Sequence, residues 1–333
     1  MSRAAILSFS ERGAETAARV AGALSGEYEV ERHAPRGTLK TLTAGLFPAV
    51  DALVFVGACG IAVRAIAPHL VNKTVDPAVL VVDEKAEFVI SLLSGHIGGA
   101  NDLARRVAAA IGATPVITTA TDVNRRFSAD AWAARHGLFI ADMDAAKRFS
   151  AEILKRDLPL HSDFPIEGKL PPGMVPGEAG SCGLAISCRD AHPFDTTLLL
   201  IPRVISLGIG CRRGVSAEAV DTAVRAVLRS AELRAEALAS VSSIDVKRDE
   251  AGLREWAESM KLPLTFYTAE ELNAVPGEFT GSDFVRKTVG VDNVCERAAM
   301  RAAGEGARLI VKKTSLDGVT VAAARQKWSV SFE

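Results

Sequence analysis

The residues best suited to chemistry fall in Ser94-Gly-His-Ile-Gly-Gly-Ala-Asn101 and Ile117-Thr-Thr-Ala-Thr-Asp122. The first stretch sets an imidazole, His96, beside Gly98 and Gly99 at the expected entrance of a helix. The second sets hydroxyls and a carboxylate at the expected end of the next strand. Bare backbone N–H groups at a helix entrance attract anions, and an imidazole titrates near neutral pH. Together they describe a site for proton transfer on an acidic ligand. His96 would activate water or shuttle a proton, work worth about 10²–10⁴-fold; its structural alternative is a bond to a backbone carbonyl. Gly98, Gly99 and Asn101, with Ser94 opening the loop, would cradle a carboxylate or an oxyanion. One good oxyanion donor is worth about 3–4 kcal/mol. The alternative is a tight turn that only glycine allows. Asp122 would orient His96 or act as base, or else cap a helix. Thr118 and Thr119 join it on the side of an open sheet where ligands collect.

Further candidates are cationic. Arg64 and Lys73 follow a Gly-rich turn, Gly57–Gly60, and could pair with acidic groups or stay solvated. Gly208-Ile-Gly210-Cys-Arg212-Arg213-Gly214 is expected to leave a strand and open a helix whose N-cap is Ser216. A carboxylate there would gain about 0.3–1 kcal/mol from the helix terminus and about 1.5–3 kcal/mol from Arg212 or Arg213. The arginines therefore dominate. Lys312-Lys-Thr-Ser315 before Asp317-Gly318 reads as a plain hairpin turn. Cys59 sits in an apolar run and belongs to the core.

Positioning these groups requires alternating strands and helices. Strands are expected at 4–9, 28–33, 52–56 and 114–118, helices at 14–24, 39–46, 61–67 and 101–111, and a hairpin over 79–91 turning at Glu84-Lys-Ala86. Helices over 129–136 and 144–154 lead into a Pro- and Gly-rich stretch, 159–183, that reads as loops or a small sub-domain before a strand at 197–201. A second alternating unit follows: strands at 204–207, 239–243 and 264–267, helices at 217–229, 250–260 and 293–303, and closing strands at 308–312 and 319–324. Thr268-x-x-Glu271 is a capping box. The expectation is two α/β domains with largely parallel sheets, 1–122 carrying the chemistry and 204–333 gripping substrate, joined by a small middle segment, 123–203.

The 333 residues carry a formal net charge of −1 and only 5% aromatics. No global field draws the chain to nucleic acid or anionic membrane, and stacking platforms for single strands are missing. The longest apolar run, 52–63, is too short to span a bilayer. No secretory leader is evident at Met1-Ser-Arg-Ala4. Five cysteines, with no C-x-x-C pair, fit reduced thiols and a cytoplasmic protein.

Gly60-Ile-Ala-Val-Arg-Ala-Ile-Ala-Pro68, Lys73-Thr-Val-Asp-Pro77, Ile90–Asn101, Ile117–Asp122 and Phe127-Ser-Ala-Asp-Ala-Trp132 occur in that order. Gly208–Gly214, Ser243-Ile-Asp-Val-Lys247, Val289-Gly-Val-Asp-Asn-Val-Cys-Glu296 and Val319-Thr-Val-Ala322 continue the series. This ordered set resembles the CbiG family, the cobalt-precorrin-5A hydrolases of anaerobic cobalamin biosynthesis. The resemblance implies a cobalt-corrinoid substrate whose ring-A acetate is closed as a δ-lactone. Water opens the lactone, and a two-carbon fragment leaves as acetaldehyde to give cobalt-precorrin-5B. It also implies that cobalt travels with the substrate, with no protein metal or cofactor, and that the corrinoid passes to other enzymes of its pathway. A corrinoid-binding handover protein without turnover would show the same ligand residues. An NADP-dependent oxidoreductase would use Gly208-x-Gly210-x-x-x-Gly214 as its dinucleotide loop, but that spacing departs from G-x-G-x-x-G.

Overall fold

The computed structural model describes residues 1–35, 37, 39–72 and 75–332. The chain divides into two compact units. One comprises Met1–His136 with Ser150–Asp157 and Pro171–Gly173; the other comprises Gly137–Phe149, Leu158–Leu170 and Met174–Glu333.

The first unit is built on strands β1 (Ser2–Ser8), β2 (Tyr28–His33), β3 (Ala52–Val56), β4 (Ala78–Val82), β5 (Phe88–Leu93) and β6 (Thr114–Val116). Their order in the sheet is β2-β1-β3-β4-β5-β6, and every pairing is parallel except β4 with β5. Every residue of β3 and β4 is buried, as helices on both faces require. Ile6, Val54 and Leu80 pack on one face with Val20 of α1 (Glu11–Leu24) and with Leu103 and Val107 of α4 (Ala100–Ile111). Leu7, Leu53 and Phe55 face the other way, onto Leu46 of α2 (Leu39–Leu46) and Ile66 of α3 (Cys59–Ile66). The period of two along each strand thus feeds two cores. Asp83 ties the β4–β5 hairpin, its two carboxylate oxygens accepting the N–H groups of Lys85, Glu87 and Phe88. After β6 come two short helices, α5 (Ala120–Val123) and α6 (Ala129–Arg135).

The second unit holds two five-stranded sheets. In the first, β7 (Phe139–Ile140) precedes β8 (Leu158–Ser162), β10 (Met174–Pro176), β11 (Cys182–Ile186) and β12 (Thr196–Ile201), with α7 (Met143–Ile153) between β7 and β8; β9 (Ile166–Glu167) falls between β8 and β10 in the chain but outside this sheet. Its order is β10-β8-β11-β12-β7, and only β12–β7 is antiparallel. The Pro- and Gly-rich stretch expected to be loops or a sub-domain therefore contains β8, β10 and the fully buried β11. The other sheet is formed by β13 (Ile205–Cys211), β14 (Leu238–Ile244), β15 (Leu264–Tyr267), β16 (Arg308–Leu316) and β17 (Val319–Arg325) in the order β15-β14-β13-β17-β16. Helices α8 (Ala217–Ser230), α9 (Ala251–Ser259), α10 (Ala269–Asn273), α11 (Asp283–Val289) and α12 (Cys295–Ala303) accompany it. A last strand, β18 (Val330–Ser331), pairs with β9. Ser216 caps α8 and Thr268 with Glu271 completes the capping box of α10, as the sequence predicts. Both units are α/β with largely parallel sheets. No helix among the described residues is long and apolar enough to cross a membrane.

Candidate active site

The loop from β5 into α4 is shaped by its own backbone. Ser94 is buried in the left-handed region, at φ 57°, a costly conformation outside glycine. Its hydroxyl donates to the Asp76 carbonyl at 2.9 Å and locks it there. The chain then folds back on itself. The Gly99 N–H donates to His96 O at 2.9 Å, Ala100 N–H to Ser94 O at 3.1 Å and Asn101 N–H to Gly95 O at 3.0 Å. A Cβ on Gly98 would come within 2.4 Å of the Ser94 Cβ, so only glycine allows the fold-back. This corrects one expectation: the amides of Gly99, Ala100 and Asn101 are already occupied and form no open cradle for an anion. Ser94, Gly98 and Gly99 shape the loop.

That loop delivers His96 into a ring of polar groups. Its Nε2 lies 3.3 Å from Asp122 Oδ2 and 3.0 Å from the Thr121 hydroxyl. Its Nδ1 lies 3.3 Å from Asp130 Oδ1. Asp122, on α5, also accepts from Asn101 Nδ2 at 2.9 Å, from the Thr119 hydroxyl and from Arg105. Asn101 gives its second Nδ2 hydrogen to Thr119 and accepts from Ser91 at 2.7 Å. Its side chain is buried and fully engaged, so it supports Asp122 and has nothing left for a ligand. Farther out, Asp102 pairs with both Arg105 and Arg135, and pairs this exposed contribute little.

Charge decides the protonation of this ring. The bond to Asp130 is the chief influence raising the imidazole above its ordinary value, against partial burial; Asp122 adds to it. A neutral ring could donate to only one carboxylate and would aim a lone pair at the other, so the cation fits both. Burial pushes the Asp122 carboxyl up, but the Thr119 and Arg105 bonds and the Arg105 charge outweigh it and hold the group low. Asp122 is thus a fixed anion and a poor base, and the two carboxylates favour the protonated form of His96. The site is reachable, with the side chains of His96 and Asp122 21% and 18% exposed.

Asp130 and Arg105 are the residues that sequence reasoning left without a role. Asp130 lies within Phe127–Trp132, a stretch noted in the sequence only for its family resemblance. Arg105 lies one turn beyond Asn101 on α4. Among the other candidates, Thr118 and Arg64 are exposed, and Arg64 reaches back to Gly60 O at 3.3 Å on its own helix. Lys73 lies outside the described residues.

The second unit corrects a further expectation. Gly208 and Gly210 do not leave the strand; they lie inside β13, paired with Ala322 and Thr320 of β17. A Cβ on Gly208 would fall 1.8 Å from Cys295 O, and one on Gly210 would fall 2.6 Å from the Thr320 hydroxyl. Both serve close packing rather than a ligand, and the dinucleotide-loop reading loses its geometry. Arg212 and Arg213 follow the strand, exposed and without an ion pair among the described residues. Burial pushes the neighbouring Cys211 thiol up to about 11, which leaves no thiolate near neutral pH. Glu296, fully buried, accepts from the Thr280 N–H and hydroxyl and from the Lys313 N–H, while Asn293 binds the Thr280 carbonyl. The Val289–Glu296 motif therefore staples a loop to β16. A cavity of about 720 Å³ opens beside Glu270, Met300 and Arg301 and contains none of the candidate residues.

Comparison with known proteins places these motifs. The model described as "Cobalamin synthesis G N-terminal" matches residues 41–122, and "Cobalamin synthesis G C-terminus" matches residues 205–324. A cobalt-precorrin-5A hydrolase from Priestia megaterium is 33% identical over 308 residues, covering 86% of this chain and 82% of that protein. The protein of the same name from Salmonella typhimurium is 37% identical over 274 residues, 76% of each chain. A third relative, protein CobE from a Sinorhizobium species, is 33% identical over 119 residues, 35% of this chain and 77% of that one. With both halves matched in order and two relatives matched over more than two thirds of their length at this identity, the chain belongs to the cobalamin synthesis G family, that of the cobalt-precorrin-5A hydrolases.

Proposed function

We propose that the protein hydrolyses cobalt-precorrin-5A, opening its ring-A lactone and releasing acetaldehyde, with His96 as the group that moves the proton. The observation carrying this role is the imidazole held between Asp122 and Asp130 at 3.3 Å on either edge. Water adds to the lactone carbonyl and the acyl–oxygen bond breaks. His96 gives the departing oxygen its proton as the bond breaks, so no free alkoxide forms. The attacking water gives up one proton to solvent as it adds, and the new carboxyl group releases the other. The neutral imidazole then takes the hydroxyl proton back as that oxygen becomes the aldehyde carbonyl. The carbon–carbon bond breaks, and its electron pair passes into the cobalt macrocycle. One imidazole thus serves as acid and then as base, and such catalysis is worth about 10²–10⁴-fold.

Cobalt belongs to the substrate in this reading, and no cofactor of the protein is invoked. Arg212 and Arg213 are the groups we assign to carboxylates of the substrate, with Arg64, Lys73 and Thr118 as weaker contributors. The reaction would take place in the cytoplasm, with transfer of the product to the next corrinoid enzyme and no role for nucleic acid or membrane. The test is to supply purified protein with cobalt-precorrin-5A and measure acetaldehyde. Release at a rate that falls at least about 10²-fold in His96→Ala supports the reading. Binding without release would make the protein a carrier.

A further inference from the structure

Resting on that reading, we propose that Asp130 is the positioning residue of His96: it holds Nδ1 and leaves Nε2 as the nitrogen that exchanges its proton with substrate. Asp130 Oδ1 stands 3.3 Å from Nδ1, and the first turn of α6 fixes its place independently of the histidine. The same oxygen accepts the Ser128 hydroxyl at 2.8 Å and the Ala131 N–H at 3.0 Å. A ring flanked by an anion on each edge has no working nitrogen by symmetry, and depth breaks the tie. The Asp130 side chain is 6% exposed, against 18% for Asp122. The Nδ1 edge therefore faces inward and the Nε2 edge faces the accessible side.

Every charged group meeting the ring agrees with this assignment. On the Nε2 edge, Asp122 already receives Asn101, Thr119 and Arg105, so it competes weakly for the Nε2 proton. The Thr121 hydroxyl, 3.0 Å away, can donate to Nε2 once that proton has gone. On the Nδ1 edge, the buried carboxylate is best satisfied by a ring N–H in both protonation states. The bond made by one nitrogen sets the state of the other.

The experiment compares Asp130→Asn with the unaltered enzyme in the acetaldehyde assay across pH. The expected result is a kcat lower by about 10²-fold, KM within about twofold, and an alkaline limb displaced to lower pH. Asp130→Glu is expected to return that limb toward its original position. An Asp130→Asn enzyme with an unmoved pH profile, beside an inactive His96→Ala, overturns this inference and leaves the hydrolase reading standing. A fully active His96→Ala overturns the reading beneath it. Should Asp130→Asn fail to fold, ¹⁵N-histidine NMR of the unaltered chain decides, with the His96 signals identified by their loss in His96→Gln. A neutral ring protonated at Nδ1 supports the assignment, and one protonated at Nε2 overturns it.

Discussion

Asn101 clasps Asp122: its Nδ2 donates to Oδ2 at 2.9 Å while its own Oδ1 accepts from Ser91. This joins the first turn of α4 to β5 on one side and to α5 on the other. The anion facing His96 is therefore held by two elements already packed into the core of the first unit, not by the loop that carries the histidine.

Replacing Asn101 by Ala should loosen that hold. The Ser91 hydroxyl and Asp122 each lose a partner in a half-buried setting, at a cost of about 1–3 kcal/mol. Urea unfolding should show the loss of stability, and kcat should fall with little change in KM. An Asn101→Ala enzyme of unchanged stability and rate would mean that Thr119 and Arg105 hold Asp122 unaided.

The pH dependence has a definite sign. The folded protein raises the His96 pKa above 6.5, so its contribution to stability is full below that value and is lost as pH rises through the folded pKa. Asp122 is held below 3.8, so its contribution is full above that value and is lost as pH falls through the folded pKa. Denaturation across pH should show a decline in stability beginning near neutrality that His96→Ala abolishes. The rate of acetaldehyde release should decline on the same alkaline side, where the acid is spent.

Two glycines test packing against binding. Gly208→Ala drives a methyl into the Cys295 carbonyl, where backbone cannot yield, and should cost about 3 kcal/mol, the upper end for overpacking. Thermal unfolding measures it. Gly98→Ala meets Ser94 at the histidine loop and should lower kcat far more than it lowers the melting temperature. A Gly208→Ala protein that melts like the original would return that glycine to the ligand-binding candidates.

Arg212 and Arg213 make the opposite forecast. Both are exposed and free of ion pairs among the described residues, so the double alanine variant should melt like the original. If they bind carboxylates, each lost charge-assisted bond is worth about 1.5 kcal/mol or more, and KM should rise at least tenfold with weaker salt dependence. An unchanged KM removes them from the substrate contacts.

Much of this architecture is written in local patterns. The alternating and 3.6-residue periods located β2, β3, α2 and β15 to the residue, and the hydroxyls of Ser216 and Thr268 announced their helices. Asp317-Gly318, both at positive φ, makes the hairpin its dipeptide implies. What stayed hidden depends on contacts distant in sequence. In sequence Gly208 reads as a turn that ends β13 early, whereas the helix packed on the strand demands that a side chain be missing there. β8 and β11 lie in sequence whose prolines and glycines suggest loops, yet β11 is buried throughout. The meeting of His96 with Asp122 was legible, since glycines, hydroxyls and a carboxylate gather at two strand ends. Asp130 was not, because a carboxylate in a helix's first turn has an ordinary explanation until the histidine is seen beside it.

The cluster balances His96, Arg105 and Arg135 against Asp102, Asp122 and Asp130, three positive groups and three negative ones. It is electrically neutral only while the imidazole carries its proton. Once that proton is given away, the surplus is negative, and a ligand that has just gained a carboxylate is repelled where it was tolerated before. That repulsion would last only as long as the neutral imidazole does: it bears on the opened intermediate, and when the hydroxyl proton returns to His96 as acetaldehyde leaves, the cluster is balanced again.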